Sequence, residues 1–217
     1  MKDANNFNDN CVVYLLRHGD SRLDSVKRYI GQKDAPLNET GRIQACWWKD
    51  RLATVPFQSA FSSDLLRSRE TLDIITSGRD IPVSTLYGLR EISVGMWDGL
   101  SMEETRKTFP EEYTKRGTDP AGHRPPGGES FNELRNRVAP IFEDIIRKEK
   151  GPVLIVGHAG VNRVLLCHLL GMPLENLFRI GQDYGCVNVI VREKGHFSLK
   201  AMNIRPLDHS FLFWVRL

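Results

Sequence analysis

Four aliphatic residues, Val153-Leu154-Ile155-Val156, run without a polar interruption into Gly157-His158-Ala159-Gly160. A strand that is apolar on both faces must be covered on both, which is the condition of a central strand in a parallel sheet flanked by helices. A second stretch is built alike: Val12-Val13-Tyr14-Leu15-Leu16 ends abruptly in Arg17-His18-Gly19-Asp20-Ser21. The pair predicts an α/β chain with an imidazole at the carboxyl end of each of two strands. In open α/β sheets ligands bind at those ends. An imidazole there can be nucleophile, base or metal ligand, and a guanidinium can fork two phosphate oxygens. Gly19 is expected to let the chain turn where a Cβ would be strained.

The remaining stretches supply the partners such a sheet needs. Residues 38–52 read as a helix capped by Asn38 or Thr40, with Ile43, Ala45, Trp47 and Leu52 as apolar contacts. Trp48 beside Trp47 leaves its buried face open. A short strand over 58–62 leads to a helix expected to be capped by Asp64 and to run to about Ser77. Pro82 to Leu86 reads as a strand, and Ser101 with Glu104 forms a capping box for a helix over 101–108. Residues 117–128, rich in Gly and Pro and carrying Asp119, His123 and Arg124, read as a loop that walls a site. Ser130 and Glu133 form a second capping box. It opens a helix whose stripe is Phe131, Leu134, Val138, Ile141, Phe142, Ile145 and Ile146, with Pro140 expected to kink it. A helix from about Val161 to Leu170 ends at Gly171, and residues 187–192 and 196–202 form an antiparallel hairpin around Gly195.

Composition narrows the function classes. The net charge of +3, with no basic block, does not point to nucleic acid, and no stretch is apolar for long enough to span a membrane. The four cysteines, Cys11, Cys46, Cys167 and Cys186, have neither finger spacing nor the density of a disulfide framework. They read as buried free thiols in a reducing compartment. Residues 1–10 are polar and Asn-rich without a signal-type core, so the expectation is a cytoplasmic protein with a flexible terminus over 1–10. One domain is expected over 11–217, and the apolar run Phe211-Leu212-Phe213-Trp214-Val215 is expected to dock on the body or on a partner.

The polar groups that follow strands make one set: Arg17, His18, Arg67, Glu91 and His158. Arg67 lies early in its helix, where a basic side chain opposes the dipole unless it turns into a cleft to meet an anion. Glu91, between Leu89 and Ile92, is placed for desolvation, which raises a carboxyl pKa and suits it to general acid work. Two arginines, two histidines and one carboxylate suit the negative charge of a phosphoryl group in transfer. One histidine can attack phosphorus while the glutamate protonates the departing oxygen. No ligand set of carboxylates or cysteines accompanies these residues, so neither metal nor cofactor is expected.

From Tyr14 to about Met202 the chain resembles the histidine phosphatase, or phosphoglycerate-mutase-like, superfamily. The resemblance rests on Leu16-Arg17-His18-Gly19, Pro36-Leu37 with Gly41 and Gln44-Ala45, Ser62-Ser63-Asp64-Leu65-Leu66-Arg67-Ser68-Arg69-Glu70-Thr71, Arg90-Glu91-Ile92 with Gly95, Trp97 and Gly99, Gly128-Glu129-Ser130, and Val156 to Gly160, in that order. It implies a three-layer α/β/α sandwich with a mostly parallel central sheet. It implies that His18 accepts the phosphoryl group, that Arg17, Arg67 and His158 bind it, and that Glu91 donates the proton. Two positions depart from the family pattern. Asp20-Ser21 stands where Glu-Thr is common, and Asp24 stands where many members hold phosphate with an asparagine, so that role is not carried over. The short path from Glu91 to Ser130 favours phosphatases over mutases, and the 171–173 and 183–186 segments resemble α-ribazole phosphatases. The expected partner is a small phosphorylated substrate, with neither nucleic acid nor membrane, and a homodimer is left open. The alternatives are mutase-type phosphotransfer on the same scaffold and a non-catalytic phospholigand-binding protein.

Overall fold

Strands β1 (Cys11–Arg17) and β4 (Val153–Gly157) lie side by side and parallel, with Leu15 opposite Ile155 and Arg17 opposite Gly157. The computed structural model describes residues 11–206. In it the two histidine-bearing strands are neighbours at the centre of a six-stranded sheet ordered β3-β2-β4-β1-β5-β6. β2 (Ser59–Ser62) and β3 (Val83–Thr85) continue the parallel half. The hairpin of β5 (Val187–Glu193) and β6 (His196–Ile204) adds an antiparallel edge. The expected terminus 1–10 and the apolar tail lie outside the described residues.

Alternation along the central strands divides the core into two layers, because successive side chains point to opposite faces. Leu16, Leu154 and Val156 face a cluster with Trp48, Leu52, Leu72 and Ile75, from α1 (Glu39–Arg51), the residue after it, and α2 (Leu66–Thr76). Val13, Leu15, Val153 and Ile155 face a second cluster with Phe142, Ile146, Val164 and Leu165. Those come from α5 (Phe131–Lys148) and α6 (Ala159–Leu170). Helices cover both faces, giving the expected three-layer α/β/α sandwich with a mostly parallel sheet. Each large apolar side chain buried this way contributes roughly 1.5–3 kcal/mol. α5 runs unbroken through Pro140, and both predicted capping boxes form, at Ser130 for α5 and at Ser101 for α3 (Met102–Thr108).

Several local expectations are corrected, among them the burial of all four thiols, since Cys46 on α1 is exposed while Cys11, Cys167 and Cys186 are buried. Asn38, not Thr40, caps α1 by accepting from the Gly41 N–H, and Ile43 is exposed. The neighbouring Trp48 takes the buried position, and its indole N–H donates to the Gly185 carbonyl. Asp64 does not cap α2; it pairs with Arg90 at 2.6 Å. The Leu66 N–H bonds instead to Asp34 Oδ1 at 2.7 Å, from a distant loop. A helix not predicted, α4 (Pro110–Thr118), precedes the 117–128 loop, with Pro110 in its first turn, where its missing N–H costs nothing.

Candidate active site

The loop after β1 is fixed by contact between two glycines. A Cβ on Gly19 would lie 2.5 Å from the Gly41 carbonyl oxygen, and one on Gly41 would lie 2.2 Å from that of Asp20. Gly19 does not have a positive φ, so its role is close approach to α1 rather than the strained turn expected from sequence. Its N–H donates to Thr71 Oγ1 at 3.0 Å. Asp20 is buried and bonded by Arg22, whereas Asp24 is exposed, accepts from the Val26 N–H and pairs with Arg28.

His18 is buried and held in one orientation. Its Nδ1 lies 2.7 Å from the Gly19 carbonyl oxygen, which only accepts, so Nδ1 carries the proton. Nε2 therefore has a lone pair, and Arg67 Nε donates to it at 3.2 Å. Burial, then the Arg67 and Arg17 guanidinia, hold this imidazole well below its ordinary pKa, opposed by the Gly19 hydrogen bond. A neutral ring with a bare Nε2 has the form a nucleophile requires.

Arg67, in the first turn of α2, is 1% exposed. Besides His18 it donates from its terminal nitrogens to the Lys33 and Gly31 carbonyls, both at 2.8 Å. Of its five N–H donors, two remain for an anion. The loop it grips is also held by Asp98, whose carboxylate accepts from the Gly31, Gln32 and Lys33 N–H groups. Arg67→Lys keeps the charge and loses the fork. It is expected to lower kcat/KM on any phosphomonoester by roughly 10–100-fold, the worth of one charge-assisted bond. Steady-state kinetics on two unrelated esters check this; an unchanged value would leave Arg67 as a loop anchor alone.

His158, the residue before α6, faces His18 with ring centroids 5.1 Å apart, and its Nε2 lies 2.7 Å from Ser63 Oγ. Arg17 stacks on the Tyr184 ring at 3.7 Å and donates to the Gln182 carbonyl at 2.6 Å. Two nitrogens, Arg17 Nε and His158 Nδ1, are buried without a hydrogen-bond partner. Burial, followed by Arg67, His18 and Arg17, depresses the His158 pKa strongly. Both histidines thus stay neutral when folded but bind a proton below about pH 6.5 when unfolded. The unfolded state binds more protons there, so stability falls as pH is lowered below about 6.5. Urea midpoints at pH 7.5 and 5.5 should show the loss, and His158→Gln should reduce it while His18 keeps its share.

Glu91 lies between buried Leu89 and Ile92, as its sequence context suggests. Its carboxylate accepts from the Ile92 N–H at 2.9 Å and from the Gly160 N–H, 3.1 Å from each oxygen. A Cβ at Gly160 would lie 2.4 Å from Oε1, so a glycine two residues after His158 makes room for the carboxylate. The Glu91 segment is braced by Arg137, which donates to the Gly88 and Arg90 carbonyls and pairs with Glu129 at 2.8 Å.

Two arginines not singled out from sequence border this side. The Arg116 guanidinium, from α4, lies 5.4 Å from the Phe131 ring and 5.6 Å from that of Phe178. Arg163, from α6, lies 5.8 Å from the same half-exposed Phe178 ring. Glu91 acts electrostatically on both, and Phe131 Cε1 lies 3.4 Å from the same Gly160 Cβ position. In the 117–128 loop His123 is buried 5.9 Å from the Trp97 ring and Arg124 pairs with Glu133.

The sheet thus brings His18, Arg67 and His158 into one cluster, with Arg17 beside it and Glu91 reaching it through Gly160. Sequence reasoning passed over Ser63, Gln182 and Tyr184 as site residues. Ser63 and Tyr184 stood inside stretches that carry the family resemblance, 62–71 and 183–186, and Gln182 stood beside the second. Among the described residues no three His, Cys, Asp or Glu side chains gather to hold a metal ion, and no helix is long and apolar enough to cross a membrane.

Comparison with known proteins gives a consistent result. Residues 13–205 match the family model of the histidine phosphatase superfamily (branch 1). An adenosylcobalamin/alpha-ribazole phosphatase of Salmonella typhimurium is 30% identical over 196 residues, covering 90% of this chain and 97% of the relative. Phosphoserine phosphatase 1 of Hydrogenobacter thermophilus is 30% identical over 193 residues, with 88% and 92% covered. The solved structure of Bacillus stearothermophilus YhfR superposes with a TM-score of 0.84 at 31% identity, covering 89% of this chain and 97% of that one.

Proposed function

The chain belongs to the histidine phosphatase superfamily and is a phosphatase, and from that membership we propose how its own residues hydrolyse a small phosphomonoester. The His18 Nε2 lone pair attacks phosphorus. The P–O ester bond breaks with its electron pair leaving on oxygen, and Glu91 supplies the proton that neutralises it. Arg17, Arg67 and His158 donate hydrogen bonds to the non-bridging oxygens. Water then attacks the phosphohistidine, Glu91 takes a proton from it, and the P–N bond breaks to return the lone pair to Nε2. One observation carries the reading: the Nε2 lone pair of a neutral, oriented His18 faces the Arg67 N–H inside a cluster of cationic and neutral donors. The second half-reaction is hydrolysis rather than return of phosphate to a bound acceptor. The short Glu91–Ser130 path and the phosphatase names of the relatives support this choice.

The leaving group is proposed to carry a second anion, because Arg116 and Arg163 flank the Phe178 ring and Arg116 also the Phe131 ring, which packs beside Gly160 and the Glu91 carboxylate. 3-Phosphoglycerate and glycerol 3-phosphate test this, since they differ by a carboxylate in place of a hydroxymethyl group. A paired carboxylate is worth roughly tenfold or more in kcat/KM. The wild type is expected to prefer the carboxylate by that factor, and Arg116→Gln to bring the ratio towards one. Equal rates on both esters in the wild type would reject the anionic leaving group while leaving the phosphatase chemistry standing.

A further inference from the structure

We infer that Ser63 is a positioning residue that fixes the tautomer of His158, so that Nδ1 presents its proton to the phosphoryl oxygens. The inference rests on the proposed phosphate site and assigns a role to a side chain outside it. Ser63 follows β2, whose register against β4 pairs Ser62 with Val156, so the sheet itself sets Ser63 near His158. Ser63 and His158 are both 0% exposed, so the two side chains meet away from bulk solvent.

Proton counting then decides the direction of the 2.7 Å contact between Ser63 Oγ and His158 Nε2. Ser63 Oγ already accepts from the Leu65 N–H at 3.3 Å. If Nε2 carried the proton, Oγ would accept a second time and its own hydroxyl proton would have no acceptor. A buried hydroxyl donor left this way is strongly disfavoured. If instead the hydroxyl donates to Nε2, the ring proton lies on Nδ1, and that N–H is the one group left without a protein partner, against two in the other form, the hydroxyl donor and a bare Nδ1. Nδ1 is the buried nitrogen that lacks a protein partner. A neutral ring carries one N–H, so the choice of nitrogen decides whether His158 offers an anion a donor or a repelling lone pair. The hydroxyl of Ser63 makes that choice from behind the ring, much as a partner on one imidazole nitrogen sets the chemistry of the other.

The test is nitrogen NMR of the full-length protein with ¹⁵N-labelled histidine, the His158 signals being assigned by their loss in His158→Gln. The wild type is expected to show a protonated Nδ1 and a bare Nε2, with the Nδ1–H resonance moving when inorganic phosphate is added. Ser63→Ala should shift the proton towards Nε2 and lower kcat/KM on p-nitrophenyl phosphate by roughly 10–100-fold. Ser63→Thr, which keeps a hydroxyl, should restore the Nδ1–H form. A wild-type spectrum with the proton on Nε2 would overturn the inference whatever the variants do, and so would an unchanged tautomer in Ser63→Ala. The tautomer is read without turnover. A wild type that shows Nδ1–H but hydrolyses no ester would therefore count against the phosphatase mechanism and not against the role of Ser63.

Discussion

His18→Ala is expected to lower phosphate release by roughly 10⁴-fold or more, the scale seen when a nucleophile is deleted from a preformed site. The loss should be equal for aryl and alkyl esters, because the proposed first step needs the Nε2 lone pair whatever alcohol departs. Substrate binding should survive better than turnover, since Arg17, Arg67 and His158 remain. Folding should survive too: His18 makes one side-chain bond to its own neighbour's carbonyl and receives one from Arg67, which keeps its loop partners. Single-turnover kinetics with excess enzyme check the rate, and a thermal melt checks the fold. A well-folded alanine variant that turned over at a tenth of the wild-type rate would remove His18 from the chemistry.

Glu91→Gln is expected to divide substrates rather than slow them all. General acid catalysis contributes typically ~10²–10⁴-fold, or roughly 3–5 kcal/mol of barrier. Alkyl esters should lose about that much in the phosphorylation step. p-Nitrophenyl phosphate should lose far less there, because nitrophenolate departs without a proton. The substitution suits the site. The glutamine carbonyl oxygen can take the place of Oε1, which accepts from both the Ile92 and Gly160 N–H groups. The variant should therefore fold with its side chain in place. Phosphorylation must be read from the burst of released alcohol, since slow dephosphorylation would hide the difference in steady state. Equal losses on both esters would make Glu91 a brace for the start of α6 and not an acid.

The sequence was most legible where one local signal decided the structure. β4 is apolar on both faces and lies at the sheet centre; α5 shows its stripe; Ser101 and Ser130 cap as their box pattern requires. It was least legible where a partner comes from far along the chain. Asp64 is the obvious cap for α2, but Asp34 holds the Leu66 N–H because the 31–34 loop is drawn in by Asp98 and Arg67. Trp47 and Trp48 look alike by pattern; Trp48 is the one packed in the core, where its indole N–H reaches the distant Gly185 carbonyl. The motif residues of the site were legible one by one. What joins them was not: Ser63 behind His158, Tyr184 over Arg17, and Gly160 under Glu91 depend on strand order and register.

The central claim is that phosphate passes through a covalent bond to His18. Rapid acid-free quenching of the wild type with ³²P-labelled ester, followed by peptide mapping, tests it directly. The account predicts a label that is stable to base, labile to acid, located on the peptide containing His18, and formed and lost at rates that permit turnover. A label on any other side chain would contradict it, as would complete turnover with no covalent label at any quench time.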